Sequence, residues 1–336
     1  MRFTGASVDI KENGSNEAKA RTADGGDGLC HVSLRDVQVL CNVGEGQYSH
    51  TQLVHLKNDT SHVFVLKVIS KHALVSSGNR ARILAEKQIL MDARCPFIVR
   101  LYRTFRDAKC LYMLKEACLG GDLWTLLRQR GPFDDNAARF YTTCVLEALR
   151  FLHGQGIIHR DLKPENVLLD QKGYAKLVQC FGSAKLLGSL RRTWSFCGSA
   201  AYQAPEIILH KGHGTLADFW ALGVFVYELL NGSPPFSGPD LLKICAAVLK
   251  GIDAVEFPEA ISNPAADFIK QICRENPTER LGQRNGVRDI QAHKWFEGFD
   301  WDAVCKGSHT PPILPHVRTN HTDSTPVDDS DWDKDF

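Results

Sequence analysis

Net charge is almost absent from this sequence: 40 Lys and Arg stand against 39 Asp and Glu, a formal balance of +1. Acids and bases are mixed along most of the chain, with no basic block and no basic amphipathic stretch. That removes the electrostatic reason to invoke a nucleic-acid or membrane-surface partner. No Cys-x-x-Cys pair occurs among the 11 cysteines, which run from Cys30 to Cys305 and are odd in number. This argues against a disulfide framework or a zinc site and for reduced thiols in the cytosol. No apolar run is long enough to cross a bilayer, and Met1 to Gly28 has no apolar centre for a secretory signal. Arg2 excludes a myristoylation signal. A cytoplasmic monomer is the expectation.

What is present describes an ordinary globular chain. With 336 residues, 43% hydrophobic and 24% charged, it has enough apolar material for one bilobal domain or two small ones. Residues 1 to about 34 are polar and rich in Gly, Ser, Asn and Asp, and are expected to be a disordered tail, because they bury too little to offset the entropy of ordering. From Val37 to Val68 β-branched and apolar residues alternate with polar ones, broken at Gly44-Glu45-Gly46 and Asn58-Asp59, which predicts strands joined by tight turns. Residues 79 to 92 change to helical spacing, with Ile83, Ile89 and Leu90 on one side and Glu86 among them. Strands are predicted again around Ile98 to Phe105 and Leu111 to Leu114. Beyond Gly120-Gly121 helices dominate: Asp134 or Asp135 is a candidate N-cap for a long helix reaching His153, and Leu216 to Leu230 is a strongly apolar, buried one. The fold class is therefore α+β and two-lobed, strands first and helices second. Asp300 to Phe336 is polar, acidic and proline-containing, and is expected to be a tail along the body.

Two runs carry chemistry. His159-Arg160-Asp161-Leu162-Lys163-Pro164-Glu165-Asn166 has the form of a kinase catalytic loop, and Gln179-Cys180-Phe181-Gly182 follows where an Asp-Phe-Gly turn would hold a metal. With Phe97-Ile98-Val99-Arg100-Leu101-Tyr102, Leu119-Gly120-Gly121-Asp122-Leu123-Trp124, Gly232-Ser233-Pro234-Pro235-Phe236-Ser237-Gly238, His293-Lys294-Trp295-Phe296 and the ending Trp332-Asp333-Lys334-Asp335-Phe336, the chain from about residue 35 resembles the AGC group of protein serine/threonine kinases. It is most similar to the catalytic part of the cGMP-dependent protein kinases.

The resemblance implies a kinase domain over 35–298, with an N-lobe to about 117 and a C-lobe from about 118, and an AGC-type C-terminal tail over 299–336. It implies ATP and magnesium as cofactors. Asp161 would accept the substrate hydroxyl's proton, Lys163 would offset developing phosphate charge and Asn166 would ligate the metal. Gly44, Gly46, Lys67, Glu86, Glu116, Cys118, Asp122 and Leu168 would form the nucleotide site, with Lys67 and Glu86 paired across nineteen residues to hold the α- and β-phosphates. Ser195 stands where the group carries an activating phosphothreonine, for which Arg160 would be the partner; the alternative is an exposed loop serine. Asp122, Glu165 and Glu228 match acids that recognise arginines ahead of the target serine, or are ordinary solvated acids. Leu90, Leu101, His159 and Phe181, anchored by Asp218, match the apolar column linking the lobes, and Glu206 and Arg280 match a buried ion pair.

The departures gather around the nucleotide. The metal-binding aspartate falls at 179 or 180 depending on register, and Gln179 and Cys180 supply no carboxylate on either. Magnesium wants hard, charged oxygens; an amide is a weak substitute and a thiol is soft and mostly protonated. Ser49 takes the third glycine of the loop, Thr51 and Val65 change the adenine slot, and Lys115 falls at the gatekeeper position, where a cation must snorkel out or sit desolvated. Gly198-Ser199-Ala200-Ala201-Tyr202 replaces Gly-Thr-Pro-Glu-Tyr. Two readings stay open: a pseudokinase that works by binding, competing for basic substrates or for an upstream kinase docking at the C-terminal end, or an ATP-dependent serine/threonine kinase with an impaired metal site. The roughly 34 residues ahead of the kinase-like part are too few for a cyclic-nucleotide-binding domain, so this chain is expected not to sense cyclic GMP itself.

Overall fold

The computed structural model describes residues 29, 31–46, 48–76, 80–178, 183–187 and 192–315. Strands β1 (Val37–Glu45), β2 (Ser49–Leu56) and β3 (Asp59–Ser70) form the start of the first lobe, followed by helices α1 (Lys71–Ser76) and α2 (Arg80–Asp92) and strands β4 (Leu101–Arg106) and β5 (Cys110–Glu116). The strands make one antiparallel sheet in the order β1-β2-β3-β5-β4. Its two faces do different things, because successive side chains in a strand point to opposite sides. Val54, Leu56, Phe64, Leu66, Val68 and Leu114 close a small cluster on one face. Ile69 and Met113, of the opposite parity, join Leu74, Ile83, Ile89 and Leu90 in the main core under α2.

The second lobe is built from α3 (Leu123–Arg130), α4 (Asp135–Gly154), short strands β6 (Ile157–Ile158), β7 (Val167–Leu169), β8 (Ala175–Leu177) and β9 (Lys185–Leu186), and helices α5 (Pro205–Ile208), α6 (Leu216–Asn231), α7 (Leu241–Leu249), α8 (Asn263–Ile272), α9 (Val287–Gln291) and α10 (Trp301–Cys305). Of the two candidate caps, Asp134 starts α4, its carboxylate accepting from Ala137 N at 2.8 Å. α6 is buried from Ala217 to Leu230 and stops at Gly232, whose φ of 83° closes the helix in the left-handed conformation glycine tolerates. Buried Glu206 and Arg280 form the expected pair, Nη1 to Oε1 at 2.9 Å and Nη2 to Oε2 at 3.1 Å, with the guanidinium also over the Trp220 ring.

Three sequence expectations shift. The strand predicted from Ile98 begins at Leu101. Residues 97–99 cross to the other lobe instead, with Leu177 N donating to Phe97 O at 2.8 Å and Val99 N to Leu177 O at 3.2 Å. An apolar run has no marker for which sheet it joins. The tail expected to end near 34 packs earlier: Leu29, Val32 and Leu34 lie against the outer sheet cluster, and Ser33 donates from N and Oγ to Asp36 Oδ2 at 2.8 and 2.7 Å. At the other end, the segment read as tail includes α10, whose Trp301 is buried and donates from Nε1 to Glu147 Oε1 at 2.8 Å. Residues 1–28 and 316–336, with Trp332 and Phe336, lie outside the described residues, as do Gln179, Cys180, Phe181 and Gly182.

Candidate functional site

The sheet register places the nucleotide-site candidates of the first lobe. Gly44 pairs with Thr51 across β1 and β2, and Gly46 N donates to Ser49 O at 2.7 Å, so the two glycines stand at the β1–β2 hairpin end. Lys67 on β3 is buried on the α2 face and donates to Glu86 at 2.9 and 3.1 Å. Helix α2 is thus drawn inward, the arrangement in which a strand lysine is ready for phosphates.

Lys115 resolves the choice between snorkelling and burial. It is 4% exposed and donates to Glu86 Oε1 at 2.8 Å, sharing that oxygen with Lys67. The cause is register: Val65 faces Lys115 and Lys67 faces Met113 across β3 and β5. The two lysines are therefore diagonal neighbours on one face, within reach of long side chains. Burial alone would raise the Glu86 carboxyl, but the ammonium groups of Lys115 and Lys67 override it and hold it down to about 2. Sequence reading singled out both Lys115 and Glu86 and missed their contact, since only the strand pairing brings them together.

Along the hinge the candidates are used structurally. The Glu116 carboxylate pairs with Lys176 at 2.7 Å and accepts from Arg100 N at 3.1 Å. Asp122 caps α3, accepting from Thr125 N at 2.7 Å and Thr125 Oγ1 at 2.8 Å. Cys118 is a partly buried thiol, its pKa pushed up by desolvation and by Glu116. Leu168 is buried at the cleft floor and bridges to Asp122.

The catalytic-loop residues converge. Asp218, fully buried at the N-terminal end of α6, accepts from His159 N at 2.9 Å and Arg160 N at 2.8 Å, and contacts His153 Nε2 at 2.7 Å. These bonds hold the loop in a turn where Arg160 has a φ of 66°. Asn166 Nδ2 donates to Asp161 O at 2.7 Å and Asp161 Oδ2 at 3.0 Å. Lys163 Nζ donates to Ser199 Oγ at 2.8 Å, and Ser199 Oγ lies 3.4 Å from Asp161 Oδ1. A side chain at Gly198 would strike Arg160 O at 2.3 Å, so glycine alone permits this approach of the two loops. Leu90, Leu101 and His159, the described members of the expected apolar column, are all buried.

Arg160 also reaches forward: Nη1 donates to Ser195 Oγ at 2.5 Å, and Lys185 Nζ to Thr193 Oγ1 at 2.9 Å. Two cations thus sit beside the candidate modification site. Glu228 is buried and accepts from Tyr202 OH, while Glu165 Oε2 is buried without a hydrogen-bond partner among the described residues. Desolvation, reinforced by the nearby Glu165 charge, pushes the Glu228 carboxyl up to about 8.

The nucleotide side of the cleft has the cations a polyphosphate needs. The metal side is poorer. Among the described residues no group of three or more His, Cys, Asp or Glu is placed to hold an ion. The donors the sequence offers are the Asn166 amide oxygen and whatever Gln179 or Cys180 supplies, which does not match magnesium's demand for charged oxygen.

A strand lysine paired to a helix glutamate, above an aspartate–lysine–asparagine loop anchored on a buried aspartate, is the catalytic frame of a protein kinase. Residues 37–296 match the protein kinase domain family, and the chain belongs to it. Within that family its likeness is to cGMP-dependent protein kinases. It is 49% identical over 318 residues to the Drosophila melanogaster cGMP-dependent protein kinase, isozyme 2 forms cD5/T2 (91% of this chain, 34% of the relative). It is 48% identical over 321 residues to cGMP-dependent protein kinase egl-4 of Caenorhabditis elegans (92% and 41%), and 45% identical over 315 residues to cGMP-dependent protein kinase 2 of Homo sapiens (90% and 41%). The chain spans between 34% and 41% of the length of these relatives. No helix among the described residues is long and apolar enough to cross a membrane.

Proposed function

We propose that this chain is a cGMP-dependent-protein-kinase-like domain that keeps the nucleotide and peptide sites but transfers phosphate weakly or not at all, acting in the cytoplasm as a binding protein for basic protein segments. The single observation that carries this reading is the absence of a carboxylate at both Gln179 and Cys180, the positions where the family resemblance expects the metal-binding aspartate. In phosphoryl transfer the metal neutralises the terminal phosphates, a task no side chain easily takes over. Losing its main ligand is expected to cost on the order of several kcal/mol, roughly a thousandfold in rate. The competing reading, an active ATP-dependent serine/threonine kinase, is favoured by the Asp161–Lys163–Ser199 contacts and the inward α2.

The deciding measurement is transfer of labelled phosphate from ATP to an Arg-Arg-x-Ser peptide by the full chain, with magnesium and separately with manganese, using Asp161→Asn as the blank. Counts equal to the blank are expected. Counts above it overturn the proposal.

The peptide site carries its own pH signature. Glu228 is mostly protonated at neutral pH in the free protein, and an arginine beside it favours the charged form. Affinity for the basic peptide is therefore expected to rise as pH increases through about 8, with a proton released on binding at pH 7. Stability moves the other way: the folded state holds this proton above the usual carboxylate range, so the contribution present below the unfolded pKa of 4.5 is lost as pH climbs towards 8. Calorimetry in two buffers of different ionisation enthalpy reads the proton directly, and Glu228→Gln should abolish it.

A further inference from the structure

Glu86 Oε1 accepts from both Lys115 and Lys67, and Oε2 accepts a second bond from Lys67. In the ordinary kinase arrangement one lysine serves both the helix glutamate and the phosphates. From the shared carboxylate we infer that this chain binds a nucleoside triphosphate without a divalent cation, with Lys115 holding Glu86 while Lys67 turns to the phosphates. The inference rests on the reading of the metal site given above and names the ligand state of the same cleft.

Three physical points support it. Withdrawing a lone lysine from a buried carboxylate leaves an uncompensated charge, the costly outcome for an ion pair in a low-dielectric site. Here Lys115 remains on the same oxygen, so Lys67 can move with Glu86 still paired and α2 still inward. Second, both ammonium groups are buried, where their attraction for a polyanion is screened far less than at the surface. Third, the same positive potential opposes a nearby divalent cation, as does a donor set that lacks the usual carboxylate. Two buried lysines in the cleft thus accompany a sequence that offers no carboxylate at Gln179 or Cys180.

The test is calorimetric titration of the full chain with ATP, once with EDTA and once with excess magnesium. Affinities within about threefold of one another are expected, with Lys115→Met weakening the EDTA value by about tenfold and Lys115→Arg restoring most of it. Binding at least tenfold tighter with magnesium overturns the proposal, as does Lys115→Met binding like wild type in EDTA. The magnesium comparison needs no variant, so a Lys115→Met chain that failed to fold would not shield the proposal. Absence of ATP binding in both conditions also overturns it while leaving the transfer-deficient reading standing. Metal-independent binding together with peptide phosphorylation above the blank would sink that reading and leave this one.

Discussion

Deleting Gln179 and changing Cys180→Asp is expected to raise phosphate transfer to a basic peptide by roughly a thousandfold over the parent chain in magnesium. The edit restores both the spacing from Asn166 and the carboxylate, and touches nothing else in a frame that already holds its parts. Asp161 is oriented by Asn166 and Ser199, Lys163 is in place through Ser199, and α2 is inward on Lys67. Because the rest is preorganised, the returning charge acts at full strength rather than having to order the loop as well. Initial rates in magnesium, with Asp161→Asn in the repaired background as the blank, measure it. A repaired chain that stayed at that blank would place the block in the cleft itself, in Lys115, Ser49 and Val65, and would refute the metal as the main defect.

The largest effect on stability is expected at Arg280. Its side chain is fully buried and donates to both oxygens of Glu206, to Leu216 O and to Arg274 O. Arg280→Ala strands the Glu206 carboxylate inside the second lobe, leaves the carbonyls of Leu216, Arg274 and Glu275 short of a donor and opens a cavity beside Trp220. Loss of one partner of such a pair costs about 3–5 kcal/mol, which for a domain of this size lowers the melting temperature by roughly 10 °C. Glu206→Gln in the same chain should recover part of it, because the stranded charge is gone. Thermal unfolding of the two variants beside wild type checks this; a single Arg280→Ala chain melting within a degree or two of wild type would show that the pair is not what holds this corner.

Residue identity was enough for much of the site. Asp161, Lys163 and Asn166 were legible as a catalytic loop through the family resemblance, and the structure brings them together through Asn166 Nδ2 to Asp161 and Ser199 Oγ between Lys163 and Asp161. The Lys67–Glu86 and Glu206–Arg280 pairs could be matched through the family resemblance, and the proposal about Gln179 and Cys180 rests on residue identity alone. Glu116 and Asp122 were legible as candidates, but not as carboxylates committed to Lys176 and to the cap of α3. Trp301 was overlooked within a polar segment, and it is a buried anchor for α10 through Glu147.

By itself, then, the sequence determined the order of the elements, the motifs that carry the resemblance to a kinase, and the residues Gln179 and Cys180 where that resemblance expects an aspartate, since these are matters of residue type and order along the chain. Only the tertiary structure decided that Lys115 turns inward to Glu86. That contact depends on the register between β3 and β5 and on where α2 packs against their shared face. Register is set by long-range pairing and by which face of the sheet must be buried, and a slip of one residue would have sent the lysine to the other side.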